Sequence, residues 1–253
     1  MLTEPIMERL SDLGLFGMYR AYEQTQGSPT HRELGFEERL TQLLDAETLY
    51  RQGQRLNQRL RWARLPQTAS LEDTDHRAVR GLDKSLWNQL VSLRWMDDHL
   101  NVLLTGPTGI GKSYLACALA HQACRDDHSV RYFRMPRLIE ELARARAAQK
   151  LSAYLKTIAR VDLIVIDDFG LSPLPDEIKR DLLEILDDRY TKKSTMVTSQ
   201  LPVNTWHVWL DEPTLADAIL DRLVHNSHRL NLNGPSLRAQ KSVIPIPETA
   251  PSS

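Results

Sequence analysis

The chain has 253 residues, enough for one sizeable core or for a main domain with a smaller one beside it. An apolar content of 42% with 32 Lys+Arg against 33 Asp+Glu excludes a disordered or collagen-like chain, and two cysteines exclude a disulfide framework. The formal net charge of -1 speaks against a nucleic-acid partner as a total, although a total is blind to distribution along the chain.

Residues 1–66 read as helical. Leu2, Ile6, Leu10, Leu13, Phe16 and Tyr19 recur at threes and fours, the spacing of one helix face, with Gly14 and Gly17 weakening the pattern locally. After a break at Gly27-Ser28-Pro29-Thr30, a second run of Phe36, Leu40, Leu43, Leu44, Leu49, Leu56 and Leu60 ends before Pro66. The expectation is a small all-α N-terminal domain that contacts a partner or a second copy. The opening MLTEPIMERLSDLG alternates charge with apolar residues too quickly for a signal peptide, and nowhere do roughly 18 to 20 apolar residues run together. A cytoplasmic location is therefore expected. Residues 67–82 are polar and aperiodic, as in a linker.

Over residues 83–240 helical and strand patterns alternate, predicting an α/β domain around a largely parallel sheet. Strands are predicted at 101–105, 130–134, 163–167, 195–199 and 229–232. The first, third and fourth are nearly continuous apolar runs, suited to strands covered on both faces. The second (VRYFR) and fifth (RLNLN) carry polar residues and are the candidates for the sheet edges. Cys117 and Cys124, seven positions apart on a predicted helix, would sit about 10 Å apart, too far to bridge. Residues 241–253, with Pro245, Pro247 and Pro251, read as a disordered tail.

Residues 106–113 spell Gly106-Pro107-Thr108-Gly109-Ile110-Gly111-Lys112-Ser113, a full G-x-x-x-x-G-K-S. The glycines let successive N–H groups turn toward phosphate oxygens, and the helix that opens at Tyr114 adds its positive end. In this motif the lysine, Lys112, reaches the β and γ phosphates and the hydroxyl, Ser113, ligates Mg²⁺. An apolar run enters the loop and a helix-favouring run leaves it, which is the context the motif requires. The third predicted strand ends in Asp167 and Asp168, the first placed to hold Mg²⁺ and the second to activate a water. A further strand lies between Lys112 and Asp167, the order of the ATPase branch of P-loop folds, and no N-K-x-D run for guanine is present. Ser199, between Thr198 and Gln200, is either a water-positioning residue or a polar strand end. Arg222 is either an arginine finger for a neighbouring subunit or half of an ion pair with Asp217 or Asp221.

The runs EERLTQLLDAE near residue 37, RLNQRLRWARLP at 55, NVLLTGPTGIGKSYLACALA at 101, DLIVIDDFGLSPL at 162, TMVTSQLPVNTWH at 195, LADAILDRLVHNSHR at 215 and GPSLR at 234 resemble the IstB-type ATPases. These are transposition helpers of bacterial insertion sequences, AAA+ proteins close to the DnaC helicase loaders and DnaA initiators. The P-loop is shared by many ATPases; DDFG, TSQLP and LADAILDRL in that order are more specific. The resemblance implies a P-loop AAA+ ATPase with a five-stranded parallel sheet and no C-terminal lid domain. It makes Ser199 similar to sensor I, Arg222 to the trans arginine finger, and Arg238 to sensor II acting from a short terminal segment. It also implies ATP and Mg²⁺ as cofactors, and duplex DNA, a cognate transposase and further copies of the chain as partners. Asp168 stands where most AAA+ proteins have Glu, one methylene shorter, which implies slow hydrolysis. A DnaC-like loader of a replicative helicase is the alternative, and a P-loop kinase acting on a small metabolite is a third reading.

The charge is unevenly placed. Residues 51–65 hold Arg51, Arg55, Arg59, Arg61 and Arg64 with no acid, the first three on one helix face. Residues 131–160 hold eight basic residues, Arg134, Arg137, Arg144, Arg146 and Lys150 among them, against Glu140 and Glu141. Such sets suit phosphate backbones rather than base reading, predicting sequence-tolerant DNA binding; the plainer reading is a solvated helix face.

Overall fold

The computed structural model describes residues 3–26, 33–74 and 81–237. The predicted break at 27–30, the candidate Arg238 and the predicted tail at 241–253 lie outside the described residues. The chain divides into two compact units, Met1–Arg59 and Leu60–Ser253.

The first unit is helical: α1 (Thr3–Asp12), α2 (Phe16–Thr25) and most of α3 (Phe36–Ala63). The predicted first helix is two, because the chain turns at Gly14, whose φ of 66° an L side chain rarely adopts. Gly17 is inside α2 for a different reason. A Cβ there would lie 2.5 Å from the Ala46 carbonyl oxygen and 2.5 Å from the Glu47 Cα, so α2 meets α3 backbone to backbone. Buried Glu47 accepts from the N–H groups of Gly17 (2.7 Å) and Met18 (3.1 Å), satisfying donors that the start of α2 leaves open.

In the second unit, α4 (Lys84–Val91) is capped by Asp83, whose carboxylate accepts from Ser85 N at 2.8 Å and Leu86 N at 3.2 Å. A short α5 (Arg94–Asp97) leads into an α/β layer. Its elements are β1 (Asn101–Thr105), α6 (Lys112–Arg125), β2 (Val130–Arg134), α7 (Met135–Ala147), α8 (Leu151–Ala159), β3 (Leu163–Phe169), α9 (Asp176–Arg189), β4 (Ser194–Ser199), α10 (Trp206–Leu210), α11 (Pro213–Val224) and β5 (Ser227–Asn231). The five strands form one parallel sheet in the order β2-β3-β4-β1-β5, with the two polar strands at the edges as their composition predicts. Leu103, Ile164, Ile166 and Val197 pack with residues of α7 to α11, and the alternate strand positions face α6.

Cys117 and Cys124 on α6 are both buried and neither is in a disulfide, and burial pushes the Cys117 thiol up to about 12. At the opposite end of the sheet from the P-loop, Arg189 is 1% exposed and donates to the carbonyls of Ile158 (3.0 Å), Val161 (2.6 Å) and Ser194. It ties the ends of α8 and α9 to the start of β4. The parallel arrangement carries the C-terminal ends of β1, β3 and β4, with the residues that follow them, to one edge, where such folds bind ligands.

Candidate nucleotide-binding site

The P-loop leaves β1 and closes into α6 through three glycines with positive φ: 143° at Gly106, 80° at Gly109 and 94° at Gly111. Gly106 and Gly109 are also hemmed in. A Cβ on either would fall 2.2 Å from the Leu232 carbonyl oxygen or 2.1 Å from Ser236 Oγ, so the segment after β5 lies directly on the loop. Leu237, the last described residue, donates its N–H to Gly109 O at 3.0 Å. The residue after it is Arg238. Pro107 and Thr108 are exposed at the tip and Ile110 is buried beneath. Lys112 Nζ donates to Gly106 O (2.8 Å) and Pro107 O (2.9 Å), within the loop that would cradle phosphates. Tyr114, one residue past Ser113, donates from its hydroxyl to Ser70 O at 3.4 Å.

Ser113 meets the acid the spacing predicts. Its Oγ lies 2.9 and 3.0 Å from the two carboxylate oxygens of Asp167. Asp167 is 4% exposed and accepts two further hydroxyl hydrogen bonds, from Tyr132 on β2 and Thr198 on β4. A hydroxyl and a carboxylate in contact at the foot of a phosphate loop are hard oxygen donors of the kind Mg²⁺ takes alongside nucleotide phosphates and water. Among the described residues there is no cluster of three His, Cys, Asp or Glu that could hold a metal ion.

Asp168 is brought to the same side by a backbone irregularity. In a regular strand Asp167 and Asp168 would face opposite sides of the sheet. The register between β3 and β4 shifts between Ile166 and Phe169, and Asp168 takes a φ of 61°. This is a bulge, which re-aims a side chain. Tyr132 and Arg134, two apart on β2, then contact the two acids in turn: Tyr132 holds Asp167, and Arg134 grips Asp168 Oδ2 from Nε (3.0 Å) and Nη2 (2.6 Å). The carboxylate beside Arg134 pushes the guanidinium above its ordinary value. Burial, then the Asp167 charge, raises Tyr132 far above a normal phenol, so its hydroxyl remains a donor.

Ser199 is fully buried, and its hydroxyl is engaged by the backbone: it donates to Phe169 O at 2.6 Å and accepts from Leu201 N at 3.1 Å. The β4 residue that touches the acids is Thr198, whose Oγ1 also accepts from Asp168 N at 3.3 Å. Sequence reading missed both Thr198 and Tyr132. The only available signal was their position on strands flanking the one that carries the acids.

Arg222 sits elsewhere. Its backbone carbonyl accepts from Asn101 Nδ2 at 2.8 Å, at the start of β1, whereas the P-loop follows the other end of that strand. Five residues of strand put roughly 15 Å between the two ends. The guanidinium pairs with Asp187 (2.6 Å) and Asp221 (3.2 Å) and lies 5.9 Å from the Tyr190 ring centre.

The basic candidates differ in how firmly they are held. Arg146 donates at 2.6 Å to both oxygens of Asp181, whose side chain is 6% exposed. Removing Arg146 would strand the buried Asp181 carboxylate. Arg137 (3.1 Å) and Arg144 (3.8 Å) share the exposed Glu140, and such surface pairs are worth about 0 to 1 kcal/mol. Lys150 is exposed just before α8, Arg51 pairs with Glu47 at 2.6 Å, Arg55 is exposed and Arg59 is half-buried.

A five-stranded parallel sheet in this order, a closed P-loop on β1 and an acid pair ending β3 define a P-loop AAA+ protein. Solved structures agree on the fold. DnaI superposes with a TM-score of 0.57 at 22% identity over 65% of this chain and 91% of its own. AMPPCP-bound DnaA from Aquifex aeolicus gives 0.56 at 15% identity over 69% and 53%. Residues 8–244 match the family described as IstB-like ATP binding protein, and the chain belongs to that family. Among relatives, the insertion sequence ATP-binding protein y4pL of Sinorhizobium fredii is 48% identical over 94% of this chain and 97% of its own length. The ATP-binding protein of insertion sequence IS1162 from Pseudomonas fluorescens is 44% identical over 81% and 89%.

Proposed function

We propose that this protein is an ATP-dependent DNA-binding helper of DNA transposition, which assembles on duplex DNA, hydrolyses ATP between subunits and presents the target to a cognate transposase in the cytoplasm. The observation that carries the reading is the separation of the candidate catalytic residues between the two ends of the sheet. The phosphate loop and both acids lie at one end, while Arg222, the candidate finger, lies at the other. A head-to-tail neighbour joins such halves, and heterologous contacts of that kind build rings or filaments.

In this reading the P-loop N–H groups and Lys112 hold the triphosphate, Lys112 exchanging its loop carbonyls for phosphate oxygens. Ser113 and Asp167 hold Mg²⁺, which when bound offsets charge on the β and γ phosphates. Asp168, released from Arg134, orients a water and takes its proton as the water oxygen bonds to the γ-phosphorus and the bond to the ADP oxygen breaks. ADP and phosphate leave. The buried Ser199 acts through the backbone of Phe169, fixing the turn that follows Asp168. Arg222 of the neighbour stabilises charge on the transferring group, and Arg238, one residue past the contact at Gly109, completes the phosphate shell. Arg137, Arg144 and Lys150, with Arg51, Arg55 and Arg59, supply sequence-tolerant contacts to DNA phosphates; Arg146 is committed to Asp181.

The test is duplex binding followed by fluorescence anisotropy, with and without a non-hydrolysable ATP analogue. The wild type is expected to bind only with nucleotide, and Lys112→Ala to lose that response. ATP-dependent assemblies of Lys112→Ala on DNA would overturn the proposal.

A further inference from the structure

We propose that Tyr132 is a positioning residue for the metal-holding carboxylate: its hydroxyl fixes the rotation of Asp167 so that one edge of that group faces Ser113. The inference rests on the reading of Ser113 and Asp167 as the Mg²⁺ pair. Asp167 Oδ2 accepts from Tyr132, and Oδ1 accepts from Thr198, one strand to the other side. Ser113 approaches both oxygens at nearly equal distance, 2.9 and 3.0 Å. When Ser113 turns to a metal, the two flanking hydroxyls are what remain to hold the carboxylate plane, one on each oxygen.

Tyr132 suits this role because it has no easy alternative. It is 7% exposed, on a strand paired in register with β3, with Tyr132 opposite Val165. A buried phenol needs a partner, and the ring cannot swing to water without leaving the sheet face. The same face of β2 carries Arg134, which holds Asp168. One edge strand thus sets both acids, the first through a neutral donor and the second through a charged one. A neutral donor matters at the metal acid: a cation there would compete with the metal, whereas a hydroxyl aligns the carboxylate and leaves its charge available.

The experiment is binding of a fluorescent methylanthraniloyl-ATP to full-length protein, titrated with Mg²⁺ or held in EDTA, for wild type and Tyr132→Phe. The variant keeps the ring and loses only the O–H. It is expected to bind the nucleotide in EDTA as the wild type does, but to need about tenfold more Mg²⁺ to reach tightened binding, the size typical of losing an outer-shell partner. A Mg²⁺ midpoint within twofold of wild type overturns the proposal and leaves Tyr132 a packing residue. If the wild type itself shows no Mg²⁺-dependent tightening, the underlying reading of Ser113 and Asp167 fails instead. Should Tyr132→Phe not fold, Thr198→Val removes the opposite donor and is expected to show the same shift; its absence counts against the proposal equally.

Discussion

Asp168 is held by one of the arginines that the sequence offers for DNA contact. Arg134 puts two donors on one oxygen of that carboxylate, at 2.6 and 3.0 Å, while 57% of its own side chain remains exposed. An oxygen that already accepts two charged donors has little room to orient a water, and an incoming DNA phosphate would be a competing anion for the guanidinium. On the proposed function, Arg134→Gln is therefore expected to raise ATP turnover without DNA by roughly threefold or more and to shrink the further rise expected on adding DNA. Steady-state phosphate release with and without duplex measures both; turnover that falls would mean Arg134 assists the water instead of restraining the base. The P-loop and the acid pair were legible because each is contiguous and its chemistry is written in adjacent residues. Tyr132, Thr198 and the grip of Arg134 were not, because they arrive from flanking strands whose register no local pattern states. Ser199 was legible as a position and not as a contact, since only the fold brings the Phe169 carbonyl to its hydroxyl.

The elements show the same division. The edge positions of β2 and β5 follow from their polar residues, yet β2 is buried everywhere except Arg134. Its polar side chains meet other groups instead of water: Arg131 stacks at 5.0 Å on Trp62 and donates to its carbonyl at 2.8 Å, so the last turn of α3, which belongs to the second unit, covers that edge. The bulge in β3 has no sequence signature beyond the two acids themselves. At the other end of the sheet, Asp162 precedes β3 and accepts from Ser129 N (2.9 Å), Ser129 Oγ (2.6 Å) and Lys193. Burial alone would raise this carboxyl, but the bonds from Lys193 and Ser129 outweigh it and pull it to about 2. A carboxyl depressed on folding contributes stability that is full above the unfolded value, about 3.9, and is lost as pH falls toward 2. Asp162→Asn is expected to cost about 1 kcal/mol at pH 6, discounted because a third of the side chain is exposed. The gap should narrow between pH 4 and pH 2.5 in urea unfolding; an unchanged gap would assign the loss to geometry rather than charge.

For the molecule as a whole, the net charge of -1 conceals arginines already matched to acids, and the candidate finger is one of them. Arg222 is paired with Asp187 and Asp221 in the isolated subunit and is separated from its own P-loop by the length of β1. If it serves a neighbour, two defects on different halves of the site should complement. Asp168→Asn retains Arg222 and the phosphate loop; Arg222→Ala retains Asp168 and the loop. Each alone is expected to be nearly inactive, since arginine fingers contribute on the order of 10³-fold or more. In a 1:1 mixture assembled at random head to tail, half of the subunits keep Asp168, and half of those are completed by a neighbour that keeps Arg222. Turnover should then recover to about a quarter of wild type. A steep rise with protein concentration should accompany it, because the complete site exists only in the assembly. A mixture that stays as inactive as its components would place Arg222 in the service of its own subunit, as a partner for Asp187 that holds α11 to α9.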